Sequence, residues 1–171
     1  MLHNTHIRLR KVEPQDVPFL YIVENDTAQW DETDVHNPLS QKDLHDYIES
    51  STGDIYRDGQ LRLIIENSDG TTLGVADLFD LDIRNSKAAL GLYVLPEWRS
   101  KRVAFRAVEL LEEYAFSFLR LHQLYAVISV RNAACMHLFE QLGYRHTATL
   151  VQWVNNSDAA VWQKFDTDNT L

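Results

Sequence analysis

The stretch from Leu90 to Tyr144 constrains the fold more than any other part of this chain. An apolar strand at residues 90–95 leads into the basic turn Arg99–Ala104, after which apolar residues recur every three or four positions, as in an amphipathic helix. A helix entered directly from a strand presents unpaired backbone N–H groups and the positive end of its dipole at one place. That arrangement suits an anionic phosphate, so the turn predicts a phosphate-binding site.

The charges of the turn support this prediction and leave one alternative open. Arg99, Lys101 and Arg102 place three positive side chains at the start of the helix, where cations are unfavourable for the helix itself. A bound anion would resolve that conflict. The alternative is a solvated basic turn on an acidic protein, since 16 basic and 25 acidic residues give a formal charge of −9. Such a charge disfavours a nucleic-acid partner, and it either attracts cationic small molecules such as amines or only keeps the protein soluble.

Length and composition limit the organisation of the chain. Its 171 residues, 45% of them hydrophobic, suffice for one substantial core but not for two. We expect a single domain over residues 1–166 and a frayed tail at 167–171. Cys135 is the only cysteine, so we expect neither a disulfide within the chain nor a thiolate metal site, and a reducing, cytoplasmic setting follows. No apolar run approaches the roughly 18 residues that span a bilayer, so no membrane partner is expected.

Hydrophobic periodicity predicts a chain of strands and helices. The predicted strands cover residues 7–12, 60–66, 72–82, 88–95, 124–130, 147–154 and 159–165. The predicted helices run from Pro14 to Asn25, from a cap at Ser40 to Ile48, from Val103 to Phe118 and from Ala133 to Leu142. The three strands between residues 60 and 95 are expected to be consecutive and antiparallel. Glu109, Glu112 and Glu113 are expected on the solvent side of the long helix.

Residues 25–39 lack periodicity and surround a tryptophan with acidic residues. We expect this segment to be a loop that forms the lip of a substrate site. The residues expected to hold a substrate amine there are Trp30, Asp31, Glu32 and His36. Glu32 is also the candidate base that deprotonates the amine.

Two segments resemble motifs of the GNAT acyltransferase superfamily. The run Leu90–Ala104 is similar to its acetyl-CoA-binding segment, in which a strand is followed by the pattern Gln/Arg-x-x-Gly-x-Gly/Ala. The run Asn132–Tyr144 is similar to the second motif, Asn-x-x-Ser/Ala-x-x-x-Tyr-x-x-x-Gly-Phe. With Ile7–Arg10 and Asp16, the resemblance spans nearly the whole chain. The branches that it resembles most acetylate spermidine and protein N-termini of ribosomal origin.

The resemblance implies an α/β (α+β) fold, in which a mixed, largely antiparallel sheet flanked by helices opens where the acetyl-CoA arm enters. It implies an N-acetyltransferase with acetyl-CoA as co-substrate and no metal. The acceptor would be a primary amine, either of a polyamine-like small molecule or of a protein N-terminus. The neutral amine attacks the thioester directly, the backbone stabilises the oxyanion, and a tyrosine commonly protonates the leaving thiolate.

The same resemblance implies roles for particular residues. Those expected at the cofactor are Tyr93, Val94 and Leu95 along the pantetheine arm, Arg99, Ser100, Lys101, Arg102, Val103 and Ala104 around the pyrophosphate, and Asn132 and Phe139 in the second motif.

The chain departs from the family pattern at four positions. Ser100 and Arg102 stand where the turn usually has glycines, and side chains there are expected to crowd the pyrophosphate or to exclude a backbone with positive φ. The alternative for Arg102 is a charged contact to the same phosphates. Phe139 replaces the tyrosine acid and cannot donate a proton. Ala89 stands where many members carry a glutamate that relays the amine proton. These losses leave open the alternative of a catalytically impaired CoA-binding or interaction module.

Few residues could replace the lost groups. Tyr144 is the candidate acid, with Tyr93 as another, and for both the alternative is a packing role in the core. Cys135 is expected to be a small buried residue rather than a nucleophile. Trp153 and Trp162 lie in the final predicted hairpin, where they would cover the core or a subunit contact, so a homodimer is a further prediction.

Overall fold

The computed structural model describes residues 2–30 and 37–166. The strands in these residues are β1 (Leu2–His3), β2 (Ile7–Lys11), β3 (Leu61–Asn67), β4 (Thr72–Asp82), β5 (Lys87–Val94), β6 (Gln123–Ser129), β7 (Arg145–Val154) and β8 (Ser157–Phe165). They form one sheet in the order β1-β2-β3-β4-β5-β6-β8-β7. All neighbours are antiparallel except β5 and β6, which are parallel. The expected mixed, largely antiparallel sheet is therefore confirmed.

The helices in the same residues are α1 (Val17–Glu24), α2 (Thr27–Trp30), α3 (Gln41–Ser50), α4 (Ile55–Asp58), α5 (Val103–Glu112) and α6 (Ala133–Gln141). Local sequence explains several of their ends. Ser40 and Asp43 form the expected capping box of α3, in which the Ser40 hydroxyl accepts from the Asp43 N–H at 3.1 Å and the Asp43 carboxylate accepts from the Ser40 N–H at 2.8 Å. Gly143 adopts a φ of 85° immediately beyond α6, a conformation that suits glycine and ends a helix.

Helices cover both faces of the sheet. Leu20 of α1 and Leu44 of α3 pack on Ile64 and Val75 on one face. The other face carries the larger core, in which residues of α5 such as Leu111 pack against the central strands. The central strands are thus shielded from water on both sides, which fits their long apolar runs.

The sheet opens between β5 and β6. Their pairing covers only Lys87–Ala89 against Gln123–Tyr125, so the rest of β5 has no strand on that side. The N–H of Leu95 donates to the carbonyl of Leu73 at 2.9 Å, on the β4 side. Because successive residues of a strand point their backbone groups to opposite sides, the N–H and C=O groups of Leu92 and Val94 face the opening. The expected splay is therefore present.

Several boundaries agree with expectation, and three features differ. Thr72–Asp82 is a strand as predicted, and the three antiparallel strands β3 to β5 follow one another as predicted. The short elements β1 and α4 had not been predicted, because two and four residues carry too little periodicity. The segment 25–39 is not wholly a loop, since α2 occupies Thr27–Trp30. The predicted tail at 167–171 lies outside the described residues.

The solvent-facing position predicted for Glu112 is wrong. This residue is buried, and its Oε2 atom accepts a hydrogen bond at 2.6 Å from Nζ of Lys164, which also donates to the carbonyl of Leu142 at 2.8 Å. Burial raises the pKa of Glu112, while the charge of Lys164 opposes that shift. A strand packed against the end of α5 therefore supplies the partner that makes burial of this carboxylate tolerable.

The helix predicted from Val103 to Phe118 changes its winding before it ends. The residues after α5, Glu113–Phe118, form a π-helical turn, in which an N–H bonds to the carbonyl five residues earlier. Leu119 donates to the carbonyl of Tyr114 at 3.0 Å in this way. The change of winding interrupts the 3.6-residue periodicity, and Phe118 is 80% exposed.

Candidate active site

The basic turn follows β5 through a 3₁₀ turn at Pro96–Trp98. Arg99 folds back on the strand, where its Nε atom donates to the carbonyl of Val94 at 3.0 Å and its guanidinium lies 5.8 Å from the ring centre of Tyr93. The ammonium of Lys101 lies 4.4 Å from the ring centre of Trp98. Arg99 therefore fixes the turn to the end of the open strand.

Ser100 and Arg102 both adopt left-handed backbone conformations, with φ of 60° and 62°. These are the two positions at which the resemblance implies glycine. The expectation that side chains would exclude a positive-φ backbone is therefore wrong. The conformation costs roughly 1–2 kcal/mol for a residue other than glycine. The guanidinium of Arg102 lies over the ring of Phe105 at 4.7 Å, a contact that offsets part of this cost.

The start of α5 offers hydrogen-bond donors to an anion. Its first turn leaves the N–H groups of Val103, Ala104 and Phe105 without acceptors inside the helix. Hydrogen bonding within the helix begins at Arg106, whose N–H donates to the carbonyl of Arg102 at 3.1 Å. Free N–H groups, the helix dipole and nearby cations are the features that hold a phosphate.

Replacing Ser100 by glycine is expected to stabilise the protein. Ser100 is exposed, so the substitution removes the strain of its positive φ without opening the core. The expected gain in the free energy of unfolding is about 0.5–1 kcal/mol, because the added freedom of the unfolded chain cancels part of the relief. Urea denaturation of both proteins measures this difference. A loss of stability would show that the serine side chain contributes a contact that outweighs the strain.

The end of β5 provides backbone groups next to the turn. Three residues are expected along the pantetheine arm. The N–H of Leu95 donates to β4, and Tyr93 pairs with Val75 of β4, so both residues direct their backbone groups away from the opening. Val94 directs its N–H and C=O into the opening, and its carbonyl accepts from Arg99. The N–H of Val94 is consequently the donor of this trio that is best oriented toward a carbonyl oxygen in the opening.

The second motif forms α6 and its flanks. The side chain of Asn132 caps this helix by accepting from the N–H of Cys135 at 3.0 Å. Cys135 is half-buried and packs against the main core. Phe139 is buried there and makes an edge-to-face contact with Tyr144, with 4.8 Å between the ring centres. Phe139 thus contributes packing at the position where the family has an acid.

Tyr144, the candidate acid, is only 3% exposed. In the described part of the chain, neither its hydroxyl nor Oε1 of Glu112 has a hydrogen-bond partner. Burial, together with the neighbouring carboxylate of Glu112, raises the pKa of Tyr144 well above its usual range. These surroundings favour a packing role, and the assignment of Tyr144 as acid stays a prediction.

On the face of the sheet covered by α1 and α3, beside the opening, small residues of β5 are flanked by larger residues of the neighbouring strands, a set that we call the trough. We define it by its floor, Gly91 and Ala89 of β5, and by the side chains paired with them, Asp77 and Phe79 of β4 and Tyr125 of β6. Tyr93 follows on the same face, two residues beyond Gly91, because side chains alternate along a strand. The trough therefore combines two small residues of β5 with aromatic side chains and one carboxylate, that of Asp77.

Arg62 of β3 binds the carboxylate of the trough. Its Nε and Nη2 atoms donate to the two oxygens of Asp77 at 2.9 and 3.0 Å, and Nη1 donates to Glu24 of α1 at 2.5 Å. Burial lowers the pKa of Arg62, but Asp77 and Glu24 outweigh that effect and keep the guanidinium charged. Sequence reasoning missed this cluster, since the only available signal was an unexplained charge within each of two strands.

The structure describes only part of the predicted substrate lip at residues 25–39. Asp31, Glu32 and His36 lie outside the described residues, and Trp30 is the last residue of α2. Just before α2, Asp26 is close enough to act on Tyr93, since burial and then the charge of Asp26 raise the pKa of that tyrosine. The described part of the lip therefore lies near the trough.

Comparison with known proteins identifies the family. The family model described as "Acetyltransferase (GNAT) domain" matches residues 6–145, most of the chain. This chain belongs to the GNAT acetyltransferase family. It is accordingly an N-acetyltransferase with acetyl-CoA as co-substrate, and the resemblance of its two motifs is confirmed.

The relatives of this GNAT acetyltransferase include spermidine N(1)-acetyltransferases. That of Escherichia coli K12 is 25% identical over 141 residues, which cover 81% of this chain and 72% of the relative. That of Vibrio cholerae is 24% identical over 157 residues, which cover 87% and 84% of the two chains. The crystal structure of spermidine N-acetyltransferase from Vibrio cholerae in complex with CoA and spermine has a TM-score of 0.83 and 21% identity, and the match covers 95% of this chain and 96% of that one. This last similarity shows the fold.

Within residues 2–30 and 37–166, no helix of this GNAT acetyltransferase is long and apolar enough to cross a membrane. In the same ranges, no group of three or more histidine, cysteine, aspartate or glutamate side chains is placed to hold a metal ion.

Proposed function

We propose that this protein acetylates a primary amine of a polyamine-like small molecule, as one catalytic domain over residues 1–166. The observation that carries the proposal is the open edge of β5, which lies between the anion-binding turn on one side and the carboxylate of the trough on the other. The spermidine acetyltransferases among its relatives support a polyamine acceptor. The formal charge of −9 supports a cationic substrate.

In this proposal, one group of residues binds the cofactor and another stabilises the charge that develops on the acetyl group. The N–H groups at the start of α5 and the side chains of Arg99 and Lys101 bind the pyrophosphate of CoA. The N–H of Val94 donates to the acetyl oxygen and stabilises the negative charge that develops there. Holding amine and thioester together at this edge contributes several kcal/mol to the rate. Glu32 as base and Tyr144 as acid stay predictions from the sequence, and no step of this proposal depends on them.

The test is an acetyl-CoA consumption assay with spermidine, spermine, aminoglycosides, amino acids and peptides with free N-termini. We expect turnover with spermidine and spermine, at a kcat/KM at least about tenfold above that for the peptides, a difference of about 1.4 kcal/mol. Preference for peptide N-termini would replace the polyamine with a protein acceptor. Tight acetyl-CoA binding without transfer to any amine would instead identify an impaired CoA-binding module.

Phe139→Tyr should be assayed in parallel. Since this substitution restores the family's proton donor, it is expected to raise kcat in a working enzyme. An impaired module would gain nothing from it. Thermal denaturation controls for the added hydroxyl in a buried position, because an unsatisfied hydroxyl there lowers stability without bearing on proton transfer.

Self-association and a cytoplasmic location are also part of the proposal. The edge strand β7 exposes 73% of Val151 and 57% of Trp153, which suits contact with a second copy of the chain. A solved Vibrio cholerae spermidine N-acetyltransferase with a TM-score of 0.80 is described as dodecameric. Light scattering that gives the mass of a single chain would contradict self-association. A single cysteine, which offers no second thiol for a disulfide within the chain, fits a reducing compartment.

A further inference from the structure

We propose that Asp77 receives the acceptor amine and accepts its proton, in place of the carboxylate that many family members carry at the position of Ala89. This inference rests on the proposed function and assigns a catalytic residue within it. The carboxylate is supplied by the neighbouring strand, at a point where the strand that usually supplies it has only alanine and glycine.

The register of the sheet puts Asp77 in a suitable place. Asp77 pairs with Gly91, and the next pair on the same face is Phe79 with Ala89. Consecutive pairs on one face are about 7 Å apart along the strands. A carboxylate that extends from residue 77 can therefore enter the space that a longer side chain at residue 89 would occupy.

Gly91 adds no side chain to that space. A Cβ atom at this position would lie 3.7 Å from Oδ2 of Asp77 and 3.2 Å from Cε1 of Phe79, so the carboxylate and the ring both pack against the glycine. Any side chain at residue 91 would therefore press on both groups. With glycine there, an amine that approaches the edge passes next to Asp77, whose side chain is 17% exposed.

Arg62 orients this carboxylate without saturating it. The two hydrogen bonds from Arg62 use one acceptor position on each oxygen, and an ionised carboxylate has about four. Arg62 also pairs with Glu24, so two carboxylates share one guanidinium and the cluster keeps a net charge of −1 if all three groups are ionised. An ammonium group complements that charge.

The proton balance of the step is complete. The bound ammonium gives one proton to Asp77, which passes it to solvent, and the nitrogen lone pair attacks the acetyl carbon. The N–H of Val94 stabilises the oxyanion. When the carbon–sulfur bond breaks, a second proton from the nitrogen neutralises the thiolate, directly or through water. The products are the acetamide and the free thiol of CoA.

The decisive variants are Asp77→Asn, Ala89→Glu and the double variant, compared with Glu24→Gln as the matched control. Asp77→Asn keeps an oxygen that can accept from Arg62 but removes the charge and the proton acceptor. We expect it to lower kcat for spermidine by about 100-fold or more, the lower end of what a general base contributes, with the Kd for acetyl-CoA unchanged. Adding Ala89→Glu to Asp77→Asn is expected to restore at least about a tenth of the lost activity.

The control isolates the structural role. Glu24→Gln also removes one carboxylate from Arg62, so it reports the loss caused by disturbing that guanidinium, which we expect to be less than about tenfold. An equal loss in Glu24→Gln and Asp77→Asn, or no recovery in a folded double variant, would show that Asp77 only anchors Arg62. Either result overturns the proposal.

Calorimetric titration of spermidine into the CoA complex separates this inference from the proposed function. Binding by the wild type that disappears in Asp77→Asn and persists in Glu24→Gln supports the assignment, even if the double variant does not fold. The same binding result without any transfer by the wild type would reject the proposed reaction but retain Asp77 as the ammonium site. A wild type that neither binds nor acetylates an amine overturns both.

Discussion

Ala104→Glu is expected to weaken acetyl-CoA binding by about 100-fold or more, a loss of about 2.7 kcal/mol. The N–H of Ala104 is in the first turn of α5, where the pyrophosphate is proposed to bind. A carboxylate placed there competes for the same N–H groups and repels the pyrophosphate. Because a negative side chain is favourable at a helix N-terminus, the free energy of unfolding is expected to stay the same or to rise by about 0.3–1 kcal/mol. Calorimetric titration and urea denaturation measure the two effects.

Ala104→Gln is the matched control. It has nearly the volume of the glutamate side chain but no charge, so its loss of affinity reports the steric part alone. We expect that loss to be the smaller of the two. Equal losses in both variants would mean that bulk rather than charge excludes the ligand, and unchanged affinity in both would place the pyrophosphate elsewhere.

Arg62→Met is expected to destabilise the protein by about 3–5 kcal/mol at pH 7, because it removes the guanidinium that two poorly solvated carboxylates, Glu24 and Asp77, share. Urea denaturation of the variant and the wild type at pH 7 measures the loss.

Arg8→Met provides the comparison for this variant. Arg8 also pairs with a buried carboxylate, Glu66, at 2.5 Å, but its own side chain is 42% exposed and Glu66 keeps a second partner in Arg10. The expected loss is about 1 kcal/mol or less. Similar losses of stability in the two variants would mean that burial does not determine how much Arg62 contributes to the free energy of unfolding.

Local signals in the sequence account for much of the architecture. The capping box at Ser40 and the glycine after α6 mark helix ends because each satisfies backbone groups within a few residues. Asn155 and Asn156, both with positive φ, form the turn that joins β7 to β8, because asparagine is favoured where a two-residue hairpin turn requires positive φ. The strand–turn–helix around Arg99 could be predicted because its donors and charges are contiguous.

The acceptor side could not be predicted in this way. Asp77 meets Arg62 and Gly91 only through the register of three strands, and β3 pairs with β4 across a shift between Ile65 and Glu66. Such a bulge changes which residues face one side of the sheet, and no local pattern announces it. The burial of Glu112 likewise depends on Lys164, which is 52 residues away in sequence. Contacts between residues so far apart in sequence form only when the sheet is assembled, so hydrophobic periodicity does not reveal them.

The position of β8 has a consequence for how the chain folds as it is synthesised. This strand follows all the others in sequence, yet it lies between β6 and β7 in the sheet. Until residues 157–165 have left the ribosome, β6 has no antiparallel neighbour and β7 has no strand to pair with. Both then have unpaired backbone edges, which are open to pairing with other chains. The emerging chain is therefore most exposed to pairing with other chains in the interval before residues 157–165 emerge.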